Sequence, residues 1–246
     1  MGYVNASAFA FLKESYERIN VIDVGAARAS FMNELWHVFR RENVFSVGID
    51  PINHHTSDKP GGPIVHKTSV DYSVFLQCGV DNVGVITSRT FYMNSDDQTS
   101  SFSELLLDNL SSIEDDESKF WYPQDTIDKI KNIENVVDDV AVYPLQEVID
   151  QHLPEGIIHF IKIDAEGKDL EVVKSINDET LKSRVKFITI ECPNKVPRFK
   201  GESIKMECIN YMKSKNFNVF YQMNYEDDPS NRTPMSDVVF VNGEDL

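Results

Sequence analysis

The sequence predicts an α/β fold, a mostly parallel sheet with helices on both faces, and three features predict it. Residues 21–24 and 44–49 are short apolar runs that flank a helical period at Phe31, Leu35 and Val38. A strand–helix–strand unit with a buried first strand makes a parallel pair, and its right-handed crossover puts the strand ends along one edge. The alternation returns where residues 157–163 and 185–190, both strand-like, enclose a helical period over 170–176. Finally, the runs 219–223 and 238–241 stand on either side of a polar loop and read as a closing antiparallel pair.

Taken in order, Phe9, Leu12, Tyr16 and Ile19 recur at spacings of three, four and three, which predicts an N-terminal helix over 1–20 ahead of a single domain over 21–246. Lys59-Pro60-Gly61-Gly62-Pro63 is a loop by its turn residues, and 90–93 is a strand rich in aromatic and β-branched side chains. Residues 95–136 are polar and acidic, with a helix expected over 102–110 and an aromatic cluster at Trp121-Tyr122-Pro123. They read as an insertion or lid, the aromatics anchoring it to the core. Helices are expected over 145–153 and 203–215.

Composition narrows the function. The chain has 246 residues, 24 basic and 40 acidic, for a net charge of −16. Such a surface repels nucleic acid and anionic membranes. Cys78, Cys192 and Cys208 are odd in number and far apart, with no C-x-x-C pair, so neither a disulfide framework nor a zinc site is expected. No apolar run approaches the roughly 18 residues of a spanning helix, and no signal-peptide pattern opens the chain, so a cytoplasmic protein is expected. Oligomeric state is silent in the sequence.

Two constellations carry chemistry. Asp23-Val24-Gly25-Ala26-Ala27 takes a buried strand into a small-residue turn that opens a helix, where backbone can approach a ligand closely. A dinucleotide fingerprint here needs glycine at 25, 27 and 30, and the chain has Gly25, Ala27 and Ser30. Loss of the second glycine disfavours a pyrophosphate and favours a cofactor without phosphates, S-adenosylmethionine. Asp50, at the end of the second strand in Gly48-Ile49-Asp50-Pro51-Ile52, is placed to hold a ribose diol. The expected cofactor contacts are Asp23, Gly25, Ala26, Ala27, Asp50, Pro51, Ile52 and Asp164.

The second constellation is Lys162-Ile163-Asp164-Ala165-Glu166-Gly167 at another strand end. Lys162 and Asp164 share one side of that strand, and Glu166 follows in the turn. Asp164 is the expected general base, Glu166 and Glu191 its substitutes, and Lys162 an orienting charge. The adjacent His54-His55, and His66, have no recognisable ligand spacing, and no metal is expected. An NAD-dependent oxidoreductase and a non-catalytic nucleoside-binding module on the same sheet are the alternatives.

These segments, with Phe91-Tyr92-Met93-Asn94, Ser100-Ser101-Phe102, Ile188-Thr189-Ile190-Glu191 and Ser236-Asp237-Val238-Val239-Phe240, resemble the FkbM family of S-adenosylmethionine-dependent methyltransferases in order and spacing. The resemblance runs from about Val21 to Val241. It implies a Rossmann-like class I methyltransferase sheet of seven strands, the last antiparallel, and O-methylation of a hydroxyl on a small molecule, sugar or glycoconjugate.

Overall fold

The computed structural model describes residues 5–26, 30–52, 65–66, 72–94, 100–112, 119–131, 133–227 and 233–245. In chain order the elements are α1 (Ala6–Ser15), β1 (Ile19–Val24), α2 (Ser30–Trp36), β2 (Val44–Ile49), β3 (Val65–His66), β4 (Val74–Leu76), β5 (Gly79–Val80) and β6 (Thr87–Asn94). The insertion adds β7 (Leu110–Ser111), β8 (Phe120–Trp121), α3 (Gln124–Lys131) and β9 (Ile133–Tyr143). There follow α4 (Leu145–His152), β10 (Ile158–Ile163), α5 (Asp169–Lys174), α6 (Asp178–Arg184), β11 (Val185–Pro193), α7 (Lys205–Ser214), β12 (Phe217–Asn224) and β13 (Met235–Asn242).

The main sheet runs β12-β13-β11-β10-β1-β2-β4-β3. Its centre, β11 through β4, is parallel, and β13 lies antiparallel between β11 and β12. This is the expected seven-stranded arrangement, to which the two-residue β3 adds an antiparallel margin. Each central strand is buried on both faces, and side-chain alternation sends its residues to two cores. Ile22, Val24, Ile161, Ile163, Ile188 and Ile190 pack with residues of α4, α5, α6 and α7. Val21, Phe160, Phe187 and Val239 pack with Phe9 and Leu12 of α1 and Phe31 and Leu35 of α2. The phenyl ring of Phe160 is fully buried, 5.2 Å from Phe9, 5.6 Å from Phe31 and 6.1 Å from Phe187.

Three expectations change. The first helix stops at Ser15, and Ile19 opens β1, in register with Val44. There the backbone is held from outside the helix: Asn20 N donates to His159 Nδ1 at 3.0 Å, and Asn20 Nδ2 to the Ile157 carbonyl at 2.9 Å. The helix also belongs to the same core, since Phe9 and Leu12 are buried in it. No α-helix forms over 102–110. That stretch holds one 3-10 turn (Leu107–Asn109) and is drawn out by bridges Tyr92↔Ser101 and Leu105↔Phe199. Lastly, the long strand β9, missed in the sequence because Asp138 and Asp139 interrupt its apolar pattern, pairs with β6 and β5 in a separate three-stranded sheet. The insertion therefore carries strands and a core of its own, in which Phe120, Tyr122, Ile127 and Ile130 pack with Met235.

Replacing Phe160 by alanine removes the ring on which both N-terminal helices rest. Urea unfolding is expected to show a loss of roughly 3–5 kcal/mol, and a loss below about 1 kcal/mol would mean that the second core does not depend on it.

Candidate active site

Parallel strands deliver their carboxyl ends to one edge, and backbone bonds carry the ladder one residue beyond them. Gly25 N and Ala26 N both donate to the Ile49 carbonyl, at 2.9 and 3.1 Å; Asp164 N donates to Val24 O and Asp50 N to Leu76 O, each at 3.1 Å. The two sequence constellations and Asp50 therefore meet. Gly25 is the tightest point. Its φ is +72°, and a Cβ there would lie 1.8 Å from the Asp164 carbonyl oxygen, so no other residue can make this turn without pushing Asp164 away.

A cleft of about 640 Å³, counting its open mouth, lies against this edge. Its lining joins apolar Ile52, Cys78, Val80, Phe91 and Phe102 to the acids Asp50, Asp164 and Glu166. Among the described residues no lysine, arginine or histidine lines it. Asp50 Oδ1 accepts from Ile52 N at 2.7 Å, which folds Pro51 and Ile52 along the wall. Gly25, Pro51 and Ile52 line the cleft. Asp23 does not reach it. Its carboxyl is 1% exposed and turned to the second core, where Tyr72 Oη donates to it at 2.5 Å and Lys162 Nζ lies 3.5 Å away. Gly48 makes that contact possible, because a Cβ there would meet the Tyr72 ring at 2.7 Å. Ala26 is buried behind the turn, and Ala27, His54 and His55 lie outside the described residues, as does the side chain of His66.

Lys162 stands behind the acidic wall. Its Nζ donates to the Gly25 carbonyl at 2.9 Å and lies 3.1 Å from Asp164 Oδ2. Burial favours the uncharged amine, but Asp164 and then Asp23 more than reverse this, and the ammonium is held more strongly than usual. Glu166, at φ +44°, occupies the left-handed region that a side chain seldom adopts. Its carbonyl accepts from Ser101 Oγ at 2.7 Å, so the insertion is bonded directly to this strained turn. Asp164, Glu166 and Glu191 each bring a carboxylate oxygen within 4.8 Å of the others, a spacing that a divalent cation can use.

Burial sets the acid–base character of this cluster. It drives Glu166 well above the ordinary carboxylate range, Arg198 opposing and Asp164 reinforcing. Glu191 moves the same way through burial and Asp164, again opposed by Arg198. Burial also raises Asp23 and Asp237 to about 6, and Asp169 to about 7 with help from Asp164. Sequence reasoning did not find Arg198, Cys78 or Val80, which occupy positions with no local signal. Phe91, Ser100 and Phe102 entered only through the family resemblance, with no role attached.

The methyltransferase FkbM domain profile matches residues 23–219 of the chain. No curated protein sequence matches it. Among solved structures, an S-adenosylmethionine-dependent methyltransferase of the DUF858 family from Leishmania major aligns over 96% of this chain and 71% of its own, at 9% identity and a TM-score of 0.34. Among the described residues no helix is long and apolar enough to cross a membrane.

The buried acids fix the sign of the pH dependence. A carboxyl whose folded pKa lies above its unfolded value adds stability that is complete below the unfolded pKa and is lost as pH rises through the folded one. For Asp169 the window runs from 3.8 to about 7, and the loss is on the order of 2–4 kcal/mol. Asp169→Asn keeps an acceptor for Ala165 N, which donates to Asp169 Oδ1 at 3.1 Å. Urea unfolding is expected to show the parent losing stability from about pH 4 to about pH 7 and the variant losing less. Parallel curves would remove Asp169 as a source of the slope.

Proposed function

The chain belongs to the methyltransferase FkbM domain family, and on that premise we propose that it is an O-methyltransferase acting on a hydroxyl of a small molecule, sugar or glycoconjugate. S-adenosylmethionine is the methyl donor. The observation that carries this reading is the charge of the cleft wall: Asp50, Asp164 and Glu166 with no basic side chain among the described lining residues. That wall suits a cofactor bearing a sulfonium and an ammonium, and it repels the pyrophosphate of a dinucleotide. The NAD-dependent alternative is disfavoured on the same ground.

The residues suit the cofactor part by part. The Gly25 turn leaves room for close approach that a Cβ would abolish, Asp50 offers carboxylate oxygens for a diol, and the slot between Ile52, Val80 and Phe102 accepts a flat ring. When bound, the cofactor supplies an electrophilic methyl group. The protein's part is to align a hydroxyl with it, exclude water and remove the hydroxyl proton. Asp164, whose side chain is 37% exposed at the cleft, is the base in this reading, with Glu166 and Glu191 able to substitute. Lys162 orients Asp164 from behind and fixes the Gly25 carbonyl, so it is a positioning residue and not a proton carrier. Asp23 in turn orients Lys162. Lys162 and Arg198 are the cations that face these acids, and no metal is assigned.

Calorimetry is expected to show binding of S-adenosylhomocysteine and none of NAD, with the same affinity in EDTA as in magnesium. Binding of NAD alone would overturn the reading, and binding that needs magnesium would assign a cation to the carboxylates. With a methyl-labelled donor and a panel of hydroxylated acceptors, Asp164→Asn is expected to lower turnover by about 10²–10⁴ while cofactor affinity falls far less. Unaltered turnover would remove Asp164 as the base.

A further inference from the structure

Glu166 and Glu191 come from different places, a turn after β10 and the end of β11, and one guanidinium faces both. Arg198 is 4% exposed. Its Nη1 lies 3.3 Å from Glu166 Oε2, and its Nη2 lies 3.6 Å from Glu191 Oε2. The group cannot swing away. Nε and Nη2 donate to Glu202 Oε1 at 3.1 and 2.9 Å, Nη1 donates to Tyr122 Oη at 3.3 Å, and the rings of Phe120 and Phe199 lie 5.6 and 5.3 Å from its carbon. Glu202 is held in turn by the backbone amides of Arg198 and Phe199. The charge count is uneven. Three carboxylates share one guanidinium, and Glu202 takes its best hydrogen bonds, while Glu166 and Glu191 are reached at longer range. A planar fork with five donors on several edges can face three acids while stacked between rings.

We propose that Arg198 is a positioning residue that gathers Glu166 and Glu191 on one cation beside Asp164 and so holds the Glu166 carboxyl at the cleft. This rests on the methyltransferase reading above. The other charged groups acting on Glu166 are Asp164, Asp169 and Glu202; those acting on Glu191 are Asp164, Asp237, Glu166 and Lys162. Tyr122 and Tyr225 complete the surroundings. Arg198 and, for Glu191, Lys162 are the cations among these groups, so Glu166 is the member that relies most on Arg198.

The full chain, labelled with 13C at the glutamate Cδ, is titrated by NMR as parent, Arg198→Met and Arg198→Lys, the two resonances being identified by their loss in Glu166→Gln and Glu191→Gln. In Arg198→Met both midpoints are expected to rise by at least about one pH unit, tenfold in proton affinity. Arg198→Lys is expected to restore less than half of that rise, because a point charge paired with Glu202 no longer reaches both acids. Midpoints that coincide with the parent's in either folded variant would overturn the proposal; if the methionine variant does not fold, the lysine variant decides alone. A parent that fails to bind S-adenosylhomocysteine would instead sink the methyl-donor reading, and the titration would still decide the role of Arg198.

Discussion

The site depends on one buried ammonium group. Lys162 Nζ touches the carboxylates of Asp23 and Asp164 and the carbonyl of Gly25, so a single charge ties two adjacent strand ends to the turn between β1 and α2. The arrangement follows from parallel register: Asp23 pairs with Lys162 across β1 and β10, and Asp164 lies two residues further along the same face. Removing the charge would leave two acids facing each other in a place with little water, a state that costs several kcal/mol. The Asp23 carboxyl, unreachable from the cleft, therefore contributes to the site through Lys162 alone.

Around that centre the protein keeps more acid than base. Lys162 and Arg198 are the cations facing Asp23, Asp164, Glu166, Glu191 and Glu202, so the described cluster is under-compensated by its own side chains. The excess explains why burial raises the proton affinity of Glu166 and Glu191 so far, and why a positively charged ligand at the cleft would be welcome there. The net charge of −16 has a different physical meaning, because it sums over the whole chain and charges exposed to solvent are screened by salt.

The insertion is joined to this chemistry and does not hang over it as a separate flap. Ser101 bonds the carbonyl of the strained Glu166, Leu105 bridges Phe199, and Tyr122 meets Arg198. Expected as an insertion or lid that is helical in places, the segment 95–136 has its helix at α3 and not over 102–110, beside β-structure and a small apolar core. The error has a physical origin: a segment whose backbone groups are taken by partners some sixty to ninety residues away does not follow its local helical period.

Sequence alone determined the parallel sheet, the strand–turn–helix units and the residue types at their carboxyl ends, because these rest on local periodicity and on the small set of residues that tolerate a sharp turn. Gly25, Asp50, Lys162 and Asp164 were legible for that reason: each sits at a fixed offset from an apolar run. Tertiary structure decided which of them face the cleft, turning Asp23 inward onto Tyr72 and Lys162. It also brought in Arg198, from a loop with no motif, and the apolar slot of Val80 and Phe102. Charge pairing and burial act through space over contacts far apart in the chain, and no spacing along the sequence encodes them.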